Sequence, residues 1–154
     1  MTTNVRLATE TDFPQILGLI KELAFFEKAP DKVTNTVDLM LAEKEYFHCF
    51  VAETDTKEIV GMAIYFFAYY TWVGKSLYLE DLYVKEPYRR HKIGSALLRK
   101  VFEVANEENC KRVRWQVLSW NKAAIAMYST SGAEISEDWL NCTFDAEGIS
   151  KFKI

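Results

Sequence analysis

The stretch spanning residues 80–102, EDLYVKEPYRRHKIGSALLRKVF, most constrains the fold, because its hydrophobic period changes once along its length. Apolar residues first form a strand, a proline marks a turn, and apolar residues then recur at helical spacing. Four basic residues, Arg89 to Lys92, stand where that helix begins. A helix N-terminus presents unpaired N–H groups and the positive end of the helix dipole. The cluster therefore indicates an anion site, with a solvated basic turn as the alternative.

The size and charge of the chain exclude several classes of protein. Its 154 residues favour one domain over residues 1–154, with enough length to bury a core. A formal net charge of −3 argues against a general nucleic-acid binder, which would be strongly basic. The most apolar run, VGMAIYFFAYYTWVG, is too short to span a bilayer, and MTTNVRLA lacks the pattern of a signal peptide. We therefore expect neither nucleic acid nor membrane as a partner.

The three cysteines indicate a reducing compartment. Cys49, Cys110 and Cys142 are odd in number and widely spaced, so they form neither a disulfide framework nor a metal-binding spacing. Neither histidine has companions at metal-ligand spacing. We expect a cytoplasmic protein without a metal.

Hydrophobic periodicity predicts an alternation of strands and helices along the chain. Thr9 and Asp12 have capping-box spacing before the first helix, Asn121 can cap the last helix, and Gly132 lies near its end. This order predicts a mixed sheet with helices on both faces. The predicted strands are VRLA, YFHCFVAE, EIVGMAIYFFAYY, KSLYLEDLYV, RVRWQVL, AEISEDWLNCTFD and ISKFKI, and the predicted helices are TETDFPQILGLIKELAFFEK, NTVDLMLAEK, the stretch from Ile93 and NKAAIAMYSTSG.

Two adjacent carboxylates, Glu80 and Asp81, interrupt an otherwise apolar strand. Buried carboxylates are costly unless they are paired or used. An aliphatic ammonium, with a pKa near ~10.4, must lose a proton before it can act as a nucleophile. A carboxylate at a cleft can hold such a cation and accept its proton. The alternative is that both side chains simply face solvent at a sheet edge.

Three segments in order, YLEDLYV, PYRRHKIGSALL and SWNKAAIAMYSTSGA, resemble the GNAT superfamily of acetyl-CoA-dependent N-acetyltransferases. The chain is most similar to the spermidine/spermine and thialysine N-acetyltransferase branch, from LIKELAFFEK through DWLNCTF. The resemblance implies an α/β fold, with a mostly antiparallel mixed sheet, a parallel central pair splayed for the coenzyme, and helices on both faces. It also implies acetyl-CoA as acetyl donor, and a homodimer with the C-terminal strands near the partner.

The resemblance places the coenzyme along the strand and the basic turn. The family loop begins with Arg or Gln and carries two small residues, and here it begins at Arg89 and ends at Gly94. Lys92 occupies the usual inner glycine position, where we expect lysine to keep an ordinary backbone conformation. The implied coenzyme contacts are Leu82, Tyr83, Val84, Arg89, Arg90, His91, Lys92, Ile93, Gly94, Ser95, Asn121, Lys122, Ala123, Ala124 and Tyr128.

The same resemblance implies two catalytic residues and direct transfer from thioester to amine. Glu80 would take the amine proton, and Tyr128 would protonate the departing thiolate. Considered alone, a tyrosine on a short apolar helix more often packs in the core with a hydrogen-bonded hydroxyl. A backbone N–H near Leu82 would polarise the thioester carbonyl.

Aromatic and acidic side chains suit an alkylammonium acceptor, although for each one ordinary packing or a solvated surface is the alternative. Arg114 would repel a second cation, and YYTWVG has Tyr70 where polyamine enzymes usually carry an acidic residue. We therefore expect a lysine-like ω-amine, such as thialysine, or a short diamine as acceptor. The implied substrate contacts are Phe26, Glu27, Trp72, Glu80, Asp81, Arg114, Trp115, Gln116, Glu137 and Trp139.

Two other functions remain open at this point. One is acetylation of protein or peptide amino groups, which would require an open peptide groove. The other is a non-catalytic acetyl-CoA-binding sensor, which only the lysine at position 92 favours.

Overall fold

The computed structural model describes residues 3–153, and its centre is a five-stranded mixed sheet. The spatial order follows the chain, β1 to β5, with antiparallel pairing from β1 through β4 and parallel pairing of β4 with β5. The predicted mixed sheet with a parallel pair is therefore confirmed, although within the described residues that pair lies at the edge. The strands are β1 (Thr3–Leu7), β2 (His48–Thr54), β3 (Ile59–Tyr70), β4 (Gly74–Val84) and β5 (Val113–Arg114).

Helices cover both faces of the sheet, as the periodicity predicts. The apolar stripe of the first helix is buried through Ile16 and Leu19, and that of the third through Leu97 and Val101. Each stripe packs on its own face, which we name the α1 face and the α3 face. In residues 3–153 no helix has the length and apolarity needed to cross a bilayer. The helices are α1 (Phe13–Phe26), α2 (Val37–Ala42), α3 (Ile93–Glu107), α4 (Lys122–Thr130) and α5 (Ala146–Lys151).

A charged network fixes the entry to α1. The backbone N–H of Thr9 donates to Asp12 Oδ2 at 2.7 Å, which confirms the predicted capping-box spacing. Arg6 donates to both carboxylate oxygens of Asp12, at 2.7 and 3.0 Å, and also to Glu53 on β2. The hydrogen bonds from Arg6 lower the pKa of the buried Asp12 to about 2. These hydrogen bonds join β1, the start of α1 and β2 at one end of the sheet.

The ladder between β4 and β5 is short and leaves one side of β4 open. The predicted strand RVRWQVL is reduced to two paired residues, with Leu77 opposite Val113 and Tyr78 opposite Arg114. Beyond Tyr78, the strand pairs only with β3 within the described residues. The backbone from residue 79 to residue 84 therefore has no paired strand on that side within the described residues, and we call this side of β4 the open edge.

The chain divides into two compact units, one ending at Gln116 and one beginning at Val117. In the second unit Asn121 caps α4, because its side chain accepts from the backbone N–H of Ala124 at 3.3 Å. Gly132 follows that helix with a φ of +94°, so both predicted helix boundaries are confirmed. The prediction of one domain over residues 1–154 stays a prediction.

The predicted closing strands AEISEDWLNCTFD and ISKFKI are wrong over residues 133–153, and Ile154 lies outside the described residues. Residues 133–145 have no regular secondary structure, and α5 occupies the start of the second segment. A strand needs a hydrogen-bonded neighbour, whereas a helix pairs its own backbone groups. Asp145 begins α5 by accepting from the N–H of Gly148 at 2.7 Å, and Lys151 pairs with Glu147 one turn earlier.

Candidate functional site

A β-bulge places Glu80 at the point where β4 loses its parallel neighbour. In the pairing with β3, Leu79 lies opposite Tyr65, and Asp81 lies opposite Ile64. Glu80 is therefore the extra residue of the bulge, without a partner on β3, and its side chain is exposed. Bulges redirect side chains, and they are frequent next to active sites.

The bulge also reverses which residues of β4 face each helix. Before it, Leu79 packs in the core on the α3 face, and after it Leu82 and Val84 do so. Tyr83 packs on the α1 face, so Asp81, two residues earlier, points to that face as well. The Asp81 carboxylate thus lies on the α1 face only because the bulge shifts the alternation of side chains along β4 by one residue.

The same shift decides which backbone groups face the open edge. The N–H of Lys85 donates to the carbonyl of Val60 on β3, at 2.9 Å. Because successive residues of a strand point their backbone groups in opposite directions, Leu82 and Val84 point theirs away from β3. The carbonyl of Val84 accepts from Arg89 Nε at 2.9 Å, which agrees with that direction. Leu82 therefore offers an N–H and a carbonyl to a ligand at this edge.

Three carboxylates from two elements share one region of negative potential. Burial, together with the charges of Glu80 and Glu27, raises the pKa of Asp81 to about 6. Burial and the charge of Glu80 likewise raise the pKa of Glu27, which lies just after α1. The structure thus brings together Glu27, Glu80 and Asp81, which the sequence analysis placed in the acceptor site.

An aromatic and basic group adjoins these carboxylates. The guanidinium groups of Arg112 and Arg114 each lie 5.1 Å from the ring centre of Tyr70. Tyr78 lies opposite Arg114 in the β4–β5 ladder. Burial and the charge of Glu80 raise the pKa of Tyr78, whereas Arg114 opposes that rise. Tyr78 is therefore within electrostatic reach of both Glu80 and Arg114.

An open groove of about 730 Å³ lies between α1 and the end of β4. Arg89 stacks there over the rings of Phe26 and Tyr83, 5.4 and 5.5 Å from their centres. The hydroxyl of Tyr83 donates to Glu22 Oε2 at 3.2 Å. The groove places Phe26 next to the carboxylate region, since Phe26 directly precedes Glu27.

The basic turn keeps the backbone shape that glycine would allow. Arg90 and Lys92 have φ values of 67° and 61°, in the left-handed region. The expectation of an ordinary conformation at Lys92 is therefore wrong, because the turn into α3 imposes the conformation whichever residue is present. A Cβ on Gly94 would meet only Val84 Cγ2, at 3.9 Å, so the start of α3 is uncrowded. The exposed residues of this turn are Arg89, Arg90, His91, Lys92 and Ser95, whereas Ile93 is buried.

Several predicted site residues belong to the second unit. Tyr128 lies on α4 and is half-buried, and burial raises its pKa above the ordinary value. Asn121 and the first turn of α4, residues 122–124, form the helix entry. Glu137 and Trp139 are exposed in the segment without regular structure. The functional roles of these residues stay predictions.

Trp72 and Trp115 lie apart from the three carboxylates. Trp72 is 88% exposed in the turn between β3 and β4, ~20 Å along β4 from Asp81. Trp115 packs on the α3 face, with its ring centre 6.3 Å from that of Phe102. Gln116 follows it and is exposed. The substrate contacts predicted for these three residues stay untested.

Sequence reasoning missed Tyr78 and Arg112 as members of the site. For Arg112 a period of two was the available signal, because Arg112 precedes Arg114 by two residues. The bulge itself has no residue signature in SLYLEDLYV, so the assignment of faces needed the structure.

The described residues 3–153 contain no group of three or more metal-ligating side chains arranged to hold an ion. Burial raises the pKa of Cys49 to about 12, so this thiol is protonated at neutral pH and is a poor nucleophile.

Comparison with known proteins identifies the family. Residues 13–133 match the Acetyltransferase (GNAT) family. The chain is 40% identical to the thialysine N-epsilon-acetyltransferase of Sus scrofa, and the alignment covers 94% of each chain. It is 38% identical to the thialysine N-epsilon-acetyltransferase of Mus musculus, and the alignment covers 96% of this chain and 95% of the mouse protein. The fold of this chain matches that of AAC(6')-Iy in complex with a CoA bisubstrate analog, with a TM-score of 0.73 and 17% sequence identity. The match covers 95% of this chain and 100% of AAC(6')-Iy. The chain therefore belongs to the GNAT family of acetyltransferases.

Proposed function

We propose that this protein transfers an acetyl group from acetyl-CoA directly to the primary amine of a small molecule. The favoured acceptors are a lysine-like ω-amine, such as thialysine, and a short diamine. The observation that carries the proposal is the group of three carboxylates at the bulge, beside the open edge of β4. The relatives named as thialysine N-epsilon-acetyltransferases support this class of acceptor.

The open edge and the basic turn fit acetyl-CoA. Bound there, the coenzyme supplies an activated acetyl thioester. The outward backbone groups of Leu82 match the amides of an extended arm, and the N-terminus of α3 suits a pyrophosphate. The left-handed Lys92 keeps this turn in a glycine-like shape and adds a positive charge. AAC(6')-Iy, the fold neighbour reported above, is in complex with a CoA bisubstrate analog, which supports the same ligand class.

The carboxylates bind and deprotonate the acceptor. An ammonium about 4 Å from a carboxylate gains about 4 kcal/mol at the effective dielectric near a protein surface. Glu80, exposed at the bulge, is the group placed to accept the amine proton, directly or through water. Asp81 and Glu27 strengthen the negative potential that attracts the cation.

Tyr128 is the proton donor to the leaving thiolate. Its raised pKa means that the phenol is protonated at neutral pH and has a proton to give. This role rests on the family resemblance of AIAMYSTSGA.

We also propose a cytoplasmic homodimer. The three free cysteines favour a reducing compartment. Large apolar side chains of the second unit are strongly exposed, with Trp139 at 80% and Leu140 at 90%. Exposed apolar groups of this kind mark association surfaces.

The proposal is tested by coenzyme A release from acetyl-CoA with thialysine, lysine, short diamines, spermidine and a lysine peptide. We expect turnover with a small amine, and a loss of at least about 100-fold in kcat for Glu80→Gln and Tyr128→Phe. Glu103→Gln, an exposed change on α3, serves as the matched control for Glu80→Gln. Better turnover of the peptide would favour protein acetylation. Thermal stabilisation by acetyl-CoA without any turnover would favour the sensor function.

A further inference from the structure

Within residues 3–153, Arg112 and Arg114 at the β5 end of the site have no carboxylate partner. Arg112 and Arg114 both lie over the ring of Tyr70, at 5.1 Å. No carboxylate in residues 3–153 lies within ion-pair distance of either guanidinium. A cation–π contact is worth only ~0.5–1 kcal/mol at an exposed site, so it does not replace an ion pair. The fold therefore holds two forked donors against one aromatic ring, and neither guanidinium has a hydrogen-bond partner among residues 3–153.

The arginines and the carboxylates occupy the same stretch of the sheet. Arg114 is directly opposite Tyr78, and neighbouring strands are ~4.8 Å apart. Glu80 and Asp81 follow Tyr78 by two and three residues, which corresponds to ~7–10 Å along the strand. Along the strands, the two charged groups are thus separated by roughly the length of a short aliphatic chain, and the aromatic residue Tyr78 lies beside Arg114.

This arrangement matches a molecule with a cation at one end and an anion at the other. Carboxylates receive an ammonium, an aromatic wall suits methylene groups, and paired guanidiniums bind a carboxylate in a fork. A diamine or polyamine would instead bring a second cation towards two positive charges. The charge pattern therefore favours an amino acid with an ω-amine over a diamine, although both classes of acceptor would react through a primary amine.

We propose that Arg112 and Arg114 bind the carboxylate of an amino-acid acceptor whose ω-amine lies at Glu27, Glu80 and Asp81. The inference rests on the proposed acetyl transfer and makes it more specific: the preferred acceptor is a zwitterionic amino acid rather than a diamine. Arg112 and Arg114 act in substrate recognition, so they influence the binding of the acceptor more than the chemical step.

The experiment compares L-lysine with cadaverine, its decarboxylated counterpart, in the wild type and in the Arg112→Gln/Arg114→Gln double variant. The wild type is expected to have the higher kcat/KM with lysine. The double variant is expected to lose roughly tenfold or more with lysine, mainly through KM, while cadaverine is unchanged or improved. Arg114→Lys is expected to retain part of the preference, since it keeps the charge and loses the fork.

Arg99→Gln, an exposed change on α3, is the matched control and should leave both substrates unchanged. Equal losses with lysine and cadaverine in the double variant, or a wild type that prefers cadaverine, would overturn the inference and leave acetyl transfer intact. If no amine supports turnover, the proposed function fails. Calorimetric titration with lysine and cadaverine then decides the inference, because the arginines should favour lysine in binding alone.

Discussion

Lys92 has a left-handed backbone, with φ of 61° and ψ of 13°, at the residue before α3 begins. A residue with a Cβ destabilises the folded state by roughly 1–2 kcal/mol when its backbone is in this region. Glycine avoids that strain, but it destabilises the folded state by about 0.5–1 kcal/mol because it loses more conformational entropy on folding. We therefore expect Lys92→Gly to raise the free energy of unfolding by about 0.5–1 kcal/mol, measured by urea denaturation. The same change within α3, Arg99→Gly, should lower it by about 1 kcal/mol. A loss of stability in Lys92→Gly would mean that the lysine side chain contributes more than the strain costs.

Asp81 gives the protein a stability that depends on pH. Its folded-state pKa of about 6 exceeds the usual value of 3.8, so the folded protein binds the proton more tightly than the unfolded chain. Stability due to this group is therefore present below about pH 4 and is lost as the pH rises through 6. Asp81→Asn removes this loss and should stabilise the protein by about 1–2 kcal/mol at pH 8.

The melting temperatures of Asp81→Asn and the wild type, measured at pH 4 and pH 8, test this expectation. The difference should be present at pH 8 and small at pH 4. Asp31→Asn, the same chemical change at an exposed position, should shift neither value. An equal shift at both pH values would show that packing, rather than ionisation, is responsible.

At the scale of elements, two glycines differ in what surrounds them. A Cβ on Gly61 of β3 would lie 3.1 Å from Leu97 Cδ1, 3.2 Å from the carbonyl oxygen of Tyr83 and 3.3 Å from Ile93 Cγ2. Gly61 thus permits the close approach of α3 to the sheet. Gly61→Ala should lower the free energy of unfolding by about 1–3 kcal/mol and weaken coenzyme binding, because it displaces the start of α3.

Gly18, within α1, has nothing within 4 Å of the corresponding Cβ position. Gly18→Ala should therefore raise the free energy of unfolding by about 0.5–1 kcal/mol, through its better helix propensity. Urea denaturation of both variants makes the comparison. A stabilising Gly61→Ala would contradict the close packing of α3 on β3.

The sequence predicted well the elements that satisfy their own backbone hydrogen bonds, and predicted poorly the strands, which need a neighbouring strand as hydrogen-bond partner. The stripe from Ile93 through Ala105 predicted α3, because a helix pairs its own backbone and its period appears in the residues. The strands predicted after Gly132 failed, since strand formation depends on a partner that local pattern does not reveal. Glu80 and Asp81 were recognised as candidates from their chemistry, but their orientation depends on a bulge that leaves no local signature.

For the whole molecule, the exposed apolar groups of the second unit predict association. If Leu140, 90% exposed, lies in a homodimer interface, Leu140→Asp should shift the protein from dimer to monomer in analytical ultracentrifugation. Ser136→Asp, in the same segment, is the matched control and should leave the mass unchanged. A monomeric wild type would contradict the proposed dimer.

The bulge at Glu80 divides one strand into two parts that can vary separately. In the proposed complex, Tyr78 and its neighbour Arg114 before the bulge adjoin the far end of the acceptor, whereas the backbone of Leu82 after the bulge faces the coenzyme. Side chains before the bulge can therefore change without altering the backbone that meets acetyl-CoA. A lineage of such enzymes could acquire new acceptors by substitution in residues 74–79, while an insertion or deletion of one residue there would exchange the two faces and lose the site.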